Sequence, residues 1–156
     1  MSKRLTLLLA VVMALGVIAA GCGSSDDDST DTTVTLTKAE FIKQGDAICK
    51  QANEQSQSDA EDFAKENDFE LEKASKEQLE EAIGEVLVPS LNQQAEEISA
   101  LGAPEGDEEK VDAIVVSLEG AAEEIESDPG AVFEGEPLDE ASKLAGDYGF
   151  KVCGEE

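Results

Sequence analysis

The side chains in this sequence that could take part in chemistry are three cysteines, Cys22, Cys49 and Cys153, and 37 acidic residues. Histidine is absent, which excludes Ser-His-Asp and Cys-His catalysis, the Glu-x-x-His di-iron pattern and zinc sites that use imidazole. The G-x-S-x-G, S-x-x-K, Walker, G-x-G-x-x-G and Cys-x-x-Cys motifs are also missing from the sequence. We therefore expect a protein that is not an enzyme and that holds no cofactor.

The carboxylates could act as an acid and base pair or could bind a cation. With 37 acids no pair stands out, and the aromatic platforms of sugar-binding sites are scarce, since the chain has no tryptophan and one tyrosine. Four carboxylates crowd the expected C-terminal end of a helix, where the helix dipole disfavours negative charge: Glu123, Glu124, Glu126 and Asp128. They are the candidate ligands for a hard cation such as Ca²⁺ or the contact site of a basic partner, although the spacing of an EF-hand loop is absent. The alternative is a charge cluster that binds nothing.

The N-terminal region has the layout of a secretory signal peptide. Lys3 and Arg4 precede residues 5–20, which are apolar or glycine apart from one threonine, and the run ends at Gly21. A membrane-spanning helix normally needs about 20 apolar residues, and this run is shorter. We therefore predict that residues 1–21 are a cleaved signal peptide and not a permanent membrane span.

The sequence AAGC, Ala19 to Cys22, resembles the bacterial lipobox, although alanine stands at position 19 where the commonest version has Leu, Val or Ile. The resemblance implies that the Cys22 sulfur receives a diacylglyceryl group and that cleavage makes Cys22 the first residue of the mature chain. Two acyl chains anchor a protein stably, whereas one binds only marginally. The expected location is the extracytoplasmic side of the cell membrane. The alternative is an ordinary cleaved signal peptide with an incidental cysteine.

Residues 22–36 are expected to form a disordered tether, because Asp, Ser, Thr and Gly dominate the segment and leave little to bury. The formal charge of the full chain is −26, and loss of Lys3 and Arg4 with the signal peptide makes it −28. Nucleic acid is excluded as a partner, since phosphate binding needs a basic patch. The same charge repels an anionic membrane surface, so the lipid on Cys22 has to supply the membrane attachment.

The remaining residues, 37–156, suffice for a single domain, and their pattern predicts an all-α helical bundle of about four helices. Capping boxes at Thr37–Glu40 and Ser75–Gln78 mark the first two helix starts, and Asp107 is predicted to cap the third helix. Pro89 predicts a kink or break in the second helix. The predicted apolar stripes are Phe41, Ile42, Ile48, Cys49, Ala52, Ala60, Phe63 and Ala64; Leu79, Ile83, Val86, Leu87, Leu91, Ala95, Ile98 and Leu101; Val111, Ile114, Val115, Leu118, Ala122 and Ile125; and Leu138, Ala141, Leu144, Ala145 and Tyr148.

Cys49 and Cys153 remain once Cys22 is assigned to the lipid. Disulfides persist outside the cytoplasm, and we predict that these two cysteines pair. Cys49 shares its apolar stripe with Ile48 and Ala52, and an up-down bundle returns the end of the last helix to the level of Cys49. The predicted disulfide would hold the C-terminal tail on the first helix. The alternative is two separate buried thiols.

Three features together resemble small, functionally uncharacterised lipoproteins of actinobacterial type. They are the lipobox, the segment LTKAEFIKQGDAICKQAN at 36–53 and the segment YGFKVCG at 148–154. The resemblance implies an extracytoplasmic helical domain with one cysteine near each end. It brings no known activity, substrate or catalytic residue.

We expect a lipid-anchored, non-enzymatic binding or interaction module of the cell envelope. Its expected partners are the membrane, through the lipid, and an envelope protein. The alternative is a domain that binds cations or cationic small molecules through its acidic surface. A closed core with a continuous apolar surface patch would favour the protein partner, and a pocket lined by mixed apolar and acidic groups would favour the cationic ligand.

Overall fold

The computed structural model of the chain describes residues 35–135 and 137–154. The predicted signal peptide at 1–21, the lipidation site Cys22 and the predicted tether up to residue 34 lie outside the described residues and remain predictions. Leu36, the last residue of the predicted tether, belongs to the folded domain, because its side chain packs against the core. Leu36 precedes the N-cap Thr37, and Phe41 of the same core cluster occupies the fourth helical position, which is the spacing of a hydrophobic staple.

The described part of the chain is helical and contains no strand. The α-helices in chain order are α1 (Lys38–Glu66), α2 (Lys76–Ala82), α3 (Val88–Ala100), α4 (Glu108–Ser127) and α5 (Asp139–Tyr148). A π-helical turn, Ile83–Leu87, joins α2 to α3 into one continuous segment, and short 3₁₀ helices lie at Leu71–Lys73 and Pro129–Phe133. Four helical segments therefore pack together, and the predicted all-α bundle is confirmed.

Both predicted capping boxes are present. Thr37 Oγ1 accepts a hydrogen bond from the Glu40 backbone N at 3.3 Å, and a Glu40 carboxylate oxygen accepts one from Thr37 N at 3.0 Å. Ser75 Oγ accepts a bond from Gln78 N at 3.3 Å, and Gln78 Oε1 accepts one from Ser75 N at 2.9 Å. Because the first turn of a helix leaves its N–H groups without partners, these bonds fix where α1 and α2 begin.

The irregularity predicted around Pro89 takes the form of the π-helical turn. Proline has no N–H to donate, and its ring crowds the carbonyl four residues earlier, at Glu85. The turn before it is widened, and the Val88 N–H bonds to the Ile83 carbonyl, five residues back. The helix therefore continues through Pro89 with an enlarged turn in place of a break.

Asp107 occupies the N-cap position of α4, but its side chain makes no capping hydrogen bond to the described first turn. Its carboxylate accepts hydrogen bonds from Lys110 Nζ at 2.6 Å and from the Tyr148 hydroxyl at 3.1 Å, and Lys38 Nζ lies 3.7 Å away. The predicted capping role is therefore wrong, because donors from three helices compete for the carboxylate and two of them are cations.

The core consists of two clusters of buried apolar side chains. Helix α4 contributes to both, packs against α3 and α5, and its Leu118 packs against both clusters. The larger cluster contains Phe41, Cys49, Ala95, Ile98, Val111, Ile114, Val115, Ala145, Tyr148 and Phe150. The smaller cluster contains Val88, Leu91, Ala122 and Ile125.

Candidate functional site

The structure brings together the two cysteines that were predicted to pair. Cys49 is buried on α1, Cys153 lies in the tail after α5, and their Cα atoms are 5.4 Å apart with the sulfur atoms at disulfide distance. The predicted proximity is therefore confirmed, and the pair joins residues separated by 104 positions in the sequence. The disulfide attaches the C-terminal tail to the middle of α1.

A carboxylate on α1 holds the same tail through its backbone. Asp46 Oδ1 accepts hydrogen bonds from Lys151 N at 2.9 Å and from Val152 N at 2.8 Å. Asp46 precedes Cys49 by three residues, which places both side chains on neighbouring turns of one helix face. Hydrogen bonds to a carboxylate are stronger than those to a neutral acceptor, so Asp46 provides a second attachment of the tail beside the disulfide. No short sequence pattern indicates this role of Asp46, because the donors are backbone groups about one hundred residues away.

Gly45 provides the space in which the tail approaches α1. A Cβ atom at this position would lie 2.3 Å from Cε1 of Phe150, which is closer than two carbon atoms can approach. Phe150 is buried against this glycine and packs on Phe41, with ring centroids 5.9 Å apart. A glycine in the interior of a helix costs about 1 kcal/mol relative to alanine, so its presence there was a signal that could have indicated close packing.

A cleft lies between α1, α3, α4, α5 and the tail, with the disulfide in its wall. Its volume is about 390 Å³, within the range of small-molecule sites. Apolar side chains from all of these elements together form most of the lining, and no Asp, Glu, Lys or Arg side chain takes part. The polar side chains that line it are Asn53, Ser56, Gln94 and Ser142. The cleft is therefore apolar with a few neutral polar groups.

Gln94 is the most distinctive of these polar groups. Among the residues that the structure describes, Gln94 is the one polar residue that is buried, with 8% of its surface exposed. Its side chain makes no hydrogen bond to any described residue. No fully enclosed side-chain nitrogen or oxygen lacks a partner among residues 35–135 and 137–154, so the Gln94 amide is open to solvent; Gln94 lines the cleft and also a smaller outer pocket. Gln94 lies three residues after Leu91 and four before Ile98, on the apolar stripe. This interruption of the stripe was the sequence signal that could have identified it.

A smaller outer pocket of about 250 Å³ lies between α1 and the segment from the π-helical turn into α3. Its lining combines apolar groups with the carboxylates of Asp59, Glu85 and Glu97. Two of these carboxylates are already engaged, since Gln55 Nε2 donates to Asp59 and Gln93 Nε2 donates to Glu97, each at 2.7 Å. The outer pocket therefore has the mixed apolar and acidic lining that would favour a cationic ligand.

The four carboxylates proposed from the sequence as cation ligands do not form a metal site. Within the described residues, no group of three or more Cys, Asp or Glu side chains is arranged to hold a metal ion. All four are exposed: Glu123, Glu124, Glu126 and Asp128. Successive helical residues point about 100° apart, so Glu123, Glu124 and Glu126 diverge around α4. Asp128 lies beyond the helix, where its Oδ1 accepts a hydrogen bond from Gly130 N at 3.0 Å.

A second polar site surrounds the carboxylate of Asp107. The hydrogen bond from Lys110, opposed by burial and assisted by the one from Tyr148, holds the pKa of Asp107 below its usual value. Burial, together with the hydrogen bond to Asp107, raises the pKa of Tyr148 to about 12. Lys38 Nζ lies 3.8 Å from the centroid of the Tyr148 ring, close enough for a cation–π contact. Every polar group of this site has a partner within the domain. We therefore interpret the Asp107 site as one that stabilises the fold.

No helix within residues 35–135 and 137–154 has the length and apolar character needed to cross a membrane. Comparisons with models of known protein families, with curated proteins and with solved structures find no match for this chain. Its function has to be argued from the geometry of the described residues and from the sequence that precedes them.

Proposed function

We propose that the protein is a lipid-anchored, extracytoplasmic binding module without enzymatic activity, and that the cleft beside the disulfide is its ligand site. The cleft itself carries the proposal. A concave, mainly apolar space with a few neutral polar groups is the usual form of a small-molecule site. A closed core with a continuous apolar surface patch would have favoured a protein partner, and the cleft instead favours a small molecule.

The walls of the cleft support binding because they are held in place before a ligand arrives. The disulfide fixes Cys153, and Asp46 fixes the backbone of the two preceding residues. On another wall, Ser56 Oγ of α1 donates a hydrogen bond to Ser90 Oγ of α3 at 2.7 Å. A site that is already ordered loses less conformational entropy on binding.

The lining offers no machinery for catalysis. Hydroxyl groups of Ser56 and Ser142 border the cleft, but a serine nucleophile needs a neighbouring base, and no titratable side chain lines the space. The cysteines are joined to each other, so neither supplies a thiolate. These features support a module that binds a ligand unchanged.

Membrane attachment rests on the N-terminal sequence. The AAGC motif follows a complete signal region, and the formal charge of −26 for the full chain makes the protein itself unsuited to an anionic lipid surface. The lipid on Cys22 would supply the attachment. We expect the full chain to label with an alkyne fatty acid and to sediment with membranes, and Cys22→Ser to abolish both, whereas Ser25→Ala should change neither. Equal sedimentation of Cys22→Ser and the unmodified chain would contradict the anchor.

Native mass spectrometry tests the ligand site. The chain from residue 22, carrying Cys22→Ser so that no acyl chain or detergent competes for the cleft, is purified from the cells that secrete it. We expect a bound small molecule, and we expect Ala141→Leu to remove it, because Ala141 is buried and lines the cleft. Ala113→Leu is the matched control, since Ala113 is exposed on α4. An adduct that survives Ala141→Leu, or the absence of any adduct, would contradict the cleft as ligand site.

A second candidate function is the binding of a cationic small molecule in the outer pocket. The lining by Asp59, Glu85 and Glu97 favours it. Calorimetry with spermidine at physiological salt should then show saturable heat that Glu85→Gln weakens. The exposed Glu81 provides the control Glu81→Gln, which should leave the heat unchanged. Absence of saturable heat would contradict this candidate and would leave the cleft proposal intact.

A further inference from the structure

We propose that the ligand of the cleft is a neutral amphiphile, with an aliphatic body and one polar group that both donates and accepts hydrogen bonds, and that Gln94 holds this polar group. The inference rests on the proposed function, because it assumes that the cleft is a ligand site. It adds the chemical class of the ligand and the residue that recognises it.

The charge of the ligand follows from the lining. A charged group that enters an apolar space loses its hydration, and this loss is large unless an opposite charge compensates it. No Asp, Glu, Lys or Arg side chain lines the cleft, so neither a carboxylate nor an ammonium group would find a counter-charge there. A neutral ligand avoids this cost.

The polar group of the ligand follows from Gln94. A side-chain amide offers two N–H donors and one carbonyl acceptor. None of these three groups forms a hydrogen bond with a described residue, although only 8% of the Gln94 surface is exposed. The amide atoms are not fully enclosed, so water or a polar group of a ligand can reach them. A primary amide or a hydroxyl group on the ligand would supply both missing kinds of bond.

The body of the ligand follows from the remaining side chains. Leu91, Ile98, Ile114 and Leu118 contribute to the apolar lining, and no aromatic ring takes part, so a flat ring would find no stacking partner. The volume of about 390 Å³ lies towards the lower end of the range of small-molecule sites. An aliphatic chain of medium length fits this space.

Four probes that share one aliphatic chain and differ in the head group test the inference: octanamide, octan-1-ol, octanoate and octylammonium. Each is titrated into the chain from residue 22 that carries Cys22→Ser, and methyl and side-chain amide resonances are followed by NMR. Salt at about 0.3 M screens attraction to the acidic surface. We expect octanamide and octan-1-ol to shift the methyl resonances of Leu91 and Ile114 saturably and to shift the Gln94 amide resonances. The two charged probes should bind at least about tenfold more weakly.

Substitution of the amide tests the role of Gln94. Gln94→Met keeps the length of the side chain and removes its hydrogen-bonding groups, so octanamide should bind about five- to tenfold more weakly. Gln93→Met is the matched control, because Gln93 is exposed and does not line the cleft. The affinity of this variant for octanamide should equal that of the unsubstituted chain. Thermal unfolding of both variants establishes that they are folded. The amide shift in the unsubstituted chain provides a measurement that needs no variant.

The outcomes separate the two proposals. Failure of all four probes to shift the cleft methyl groups would overturn the cleft as ligand site. Equal or tighter binding of octanoate or octylammonium in the cleft would overturn the neutral ligand and leave the ligand site standing. An unchanged octanamide affinity in Gln94→Met would overturn the recognition by Gln94. Methyl shifts that grow with protein concentration in the absence of a probe would identify a second copy of the chain as the occupant and would overturn the inference.

Discussion

The Asp107 site and the cleft differ in whether their polar side chains have hydrogen-bond partners within the domain. Asp107 receives hydrogen bonds from Lys110 and Tyr148 and has Lys38 nearby, so its charge is compensated from three helices. Gln94 has no such partner among the described residues and faces an open space. A saturated polar site stabilises the fold and leaves nothing for a ligand, whereas an unsaturated one costs stability and keeps its hydrogen-bonding capacity for binding. The difference supports the proposal that a ligand binds in the cleft and not at the more highly charged Asp107 site.

The largest expected effect comes from opening the wall of the cleft. The double variant Cys49→Ser with Cys153→Ser should lose up to about 4 to 5 kcal/mol of unfolding free energy, the loop-entropy value for a separation of 104 residues. Chemical denaturation measures the loss. A reductant should lower the stability of the unsubstituted chain and leave that of the double variant unchanged. If the reductant has no effect on the unsubstituted chain, packing alone holds the tail.

The next effect tests the contact between the tail and the aromatic side of the core. Gly45→Ala should cost about 1 to 3 kcal/mol of unfolding free energy, because the new Cβ would overlap Phe150 and force its ring aside. Gly120→Ala is the matched control, since nothing lies within 4 Å of the position that its Cβ would take. That variant should gain about 0.5 to 1 kcal/mol from helix propensity. Denaturation of both variants checks the prediction, and a gain for both would show that Phe150 moves freely.

Removing one polar group from each site should have opposite consequences. Tyr148→Phe deletes the hydroxyl that donates to Asp107 and should lose about 1 kcal/mol of unfolding free energy. Gln94→Met deletes an amide that has no partner in the described chain and should be neutral or should gain up to about 1 kcal/mol. Parallel denaturation in the absence of ligand measures both values. A substantial loss for Gln94→Met would mean that the amide is already satisfied, which would erase the contrast between the two sites.

The smallest effect is a shift in titration that only the Asp107 site should show. Tyr148 is the single tyrosine of the chain, so tyrosinate absorbance reports its ionisation alone. Its pKa should be about 12 in the folded protein because of burial and the bond to Asp107, and near 10 in the unfolded chain. Because folding raises this pKa, the associated stability is present below about pH 10 and is lost as the pH rises towards 12. Asp107→Asn should lower the folded value, and an unchanged value would assign the whole shift to burial.

Local features of the bundle could be predicted from the sequence, and features that depend on distant residues could not. The capping boxes at Thr37 and Ser75 involve residues three positions apart, so their chemistry is visible in a short window. The apolar stripes follow from helical periodicity, and the Cys49–Cys153 pair follows from counting the cysteines that remain after the predicted lipidation of Cys22.

The errors and omissions have a common physical cause. Asp107 satisfied the rule for an N-cap, but Tyr148 of another helix competes for its carboxylate. Leu36 was assigned to a polar tether by the composition of its neighbours, although its own side chain packs on the core. The open amide of Gln94 depends on what four helices and the tail leave unfilled, which no periodicity reveals.

The two attachments of the tail have a consequence for the order of oxidative folding. Asp46 binds the backbone of Lys151 and Val152, and Phe150 is buried in the core, and neither contact involves the sulfur atoms. Folding therefore raises the effective concentration of the Cys153 thiol beside Cys49, as a first binding event does for the second in a bivalent ligand. We expect the covalent bond to close after these non-covalent contacts have brought the two cysteines together. The carboxylate of Asp46 would then act as a template for pairing.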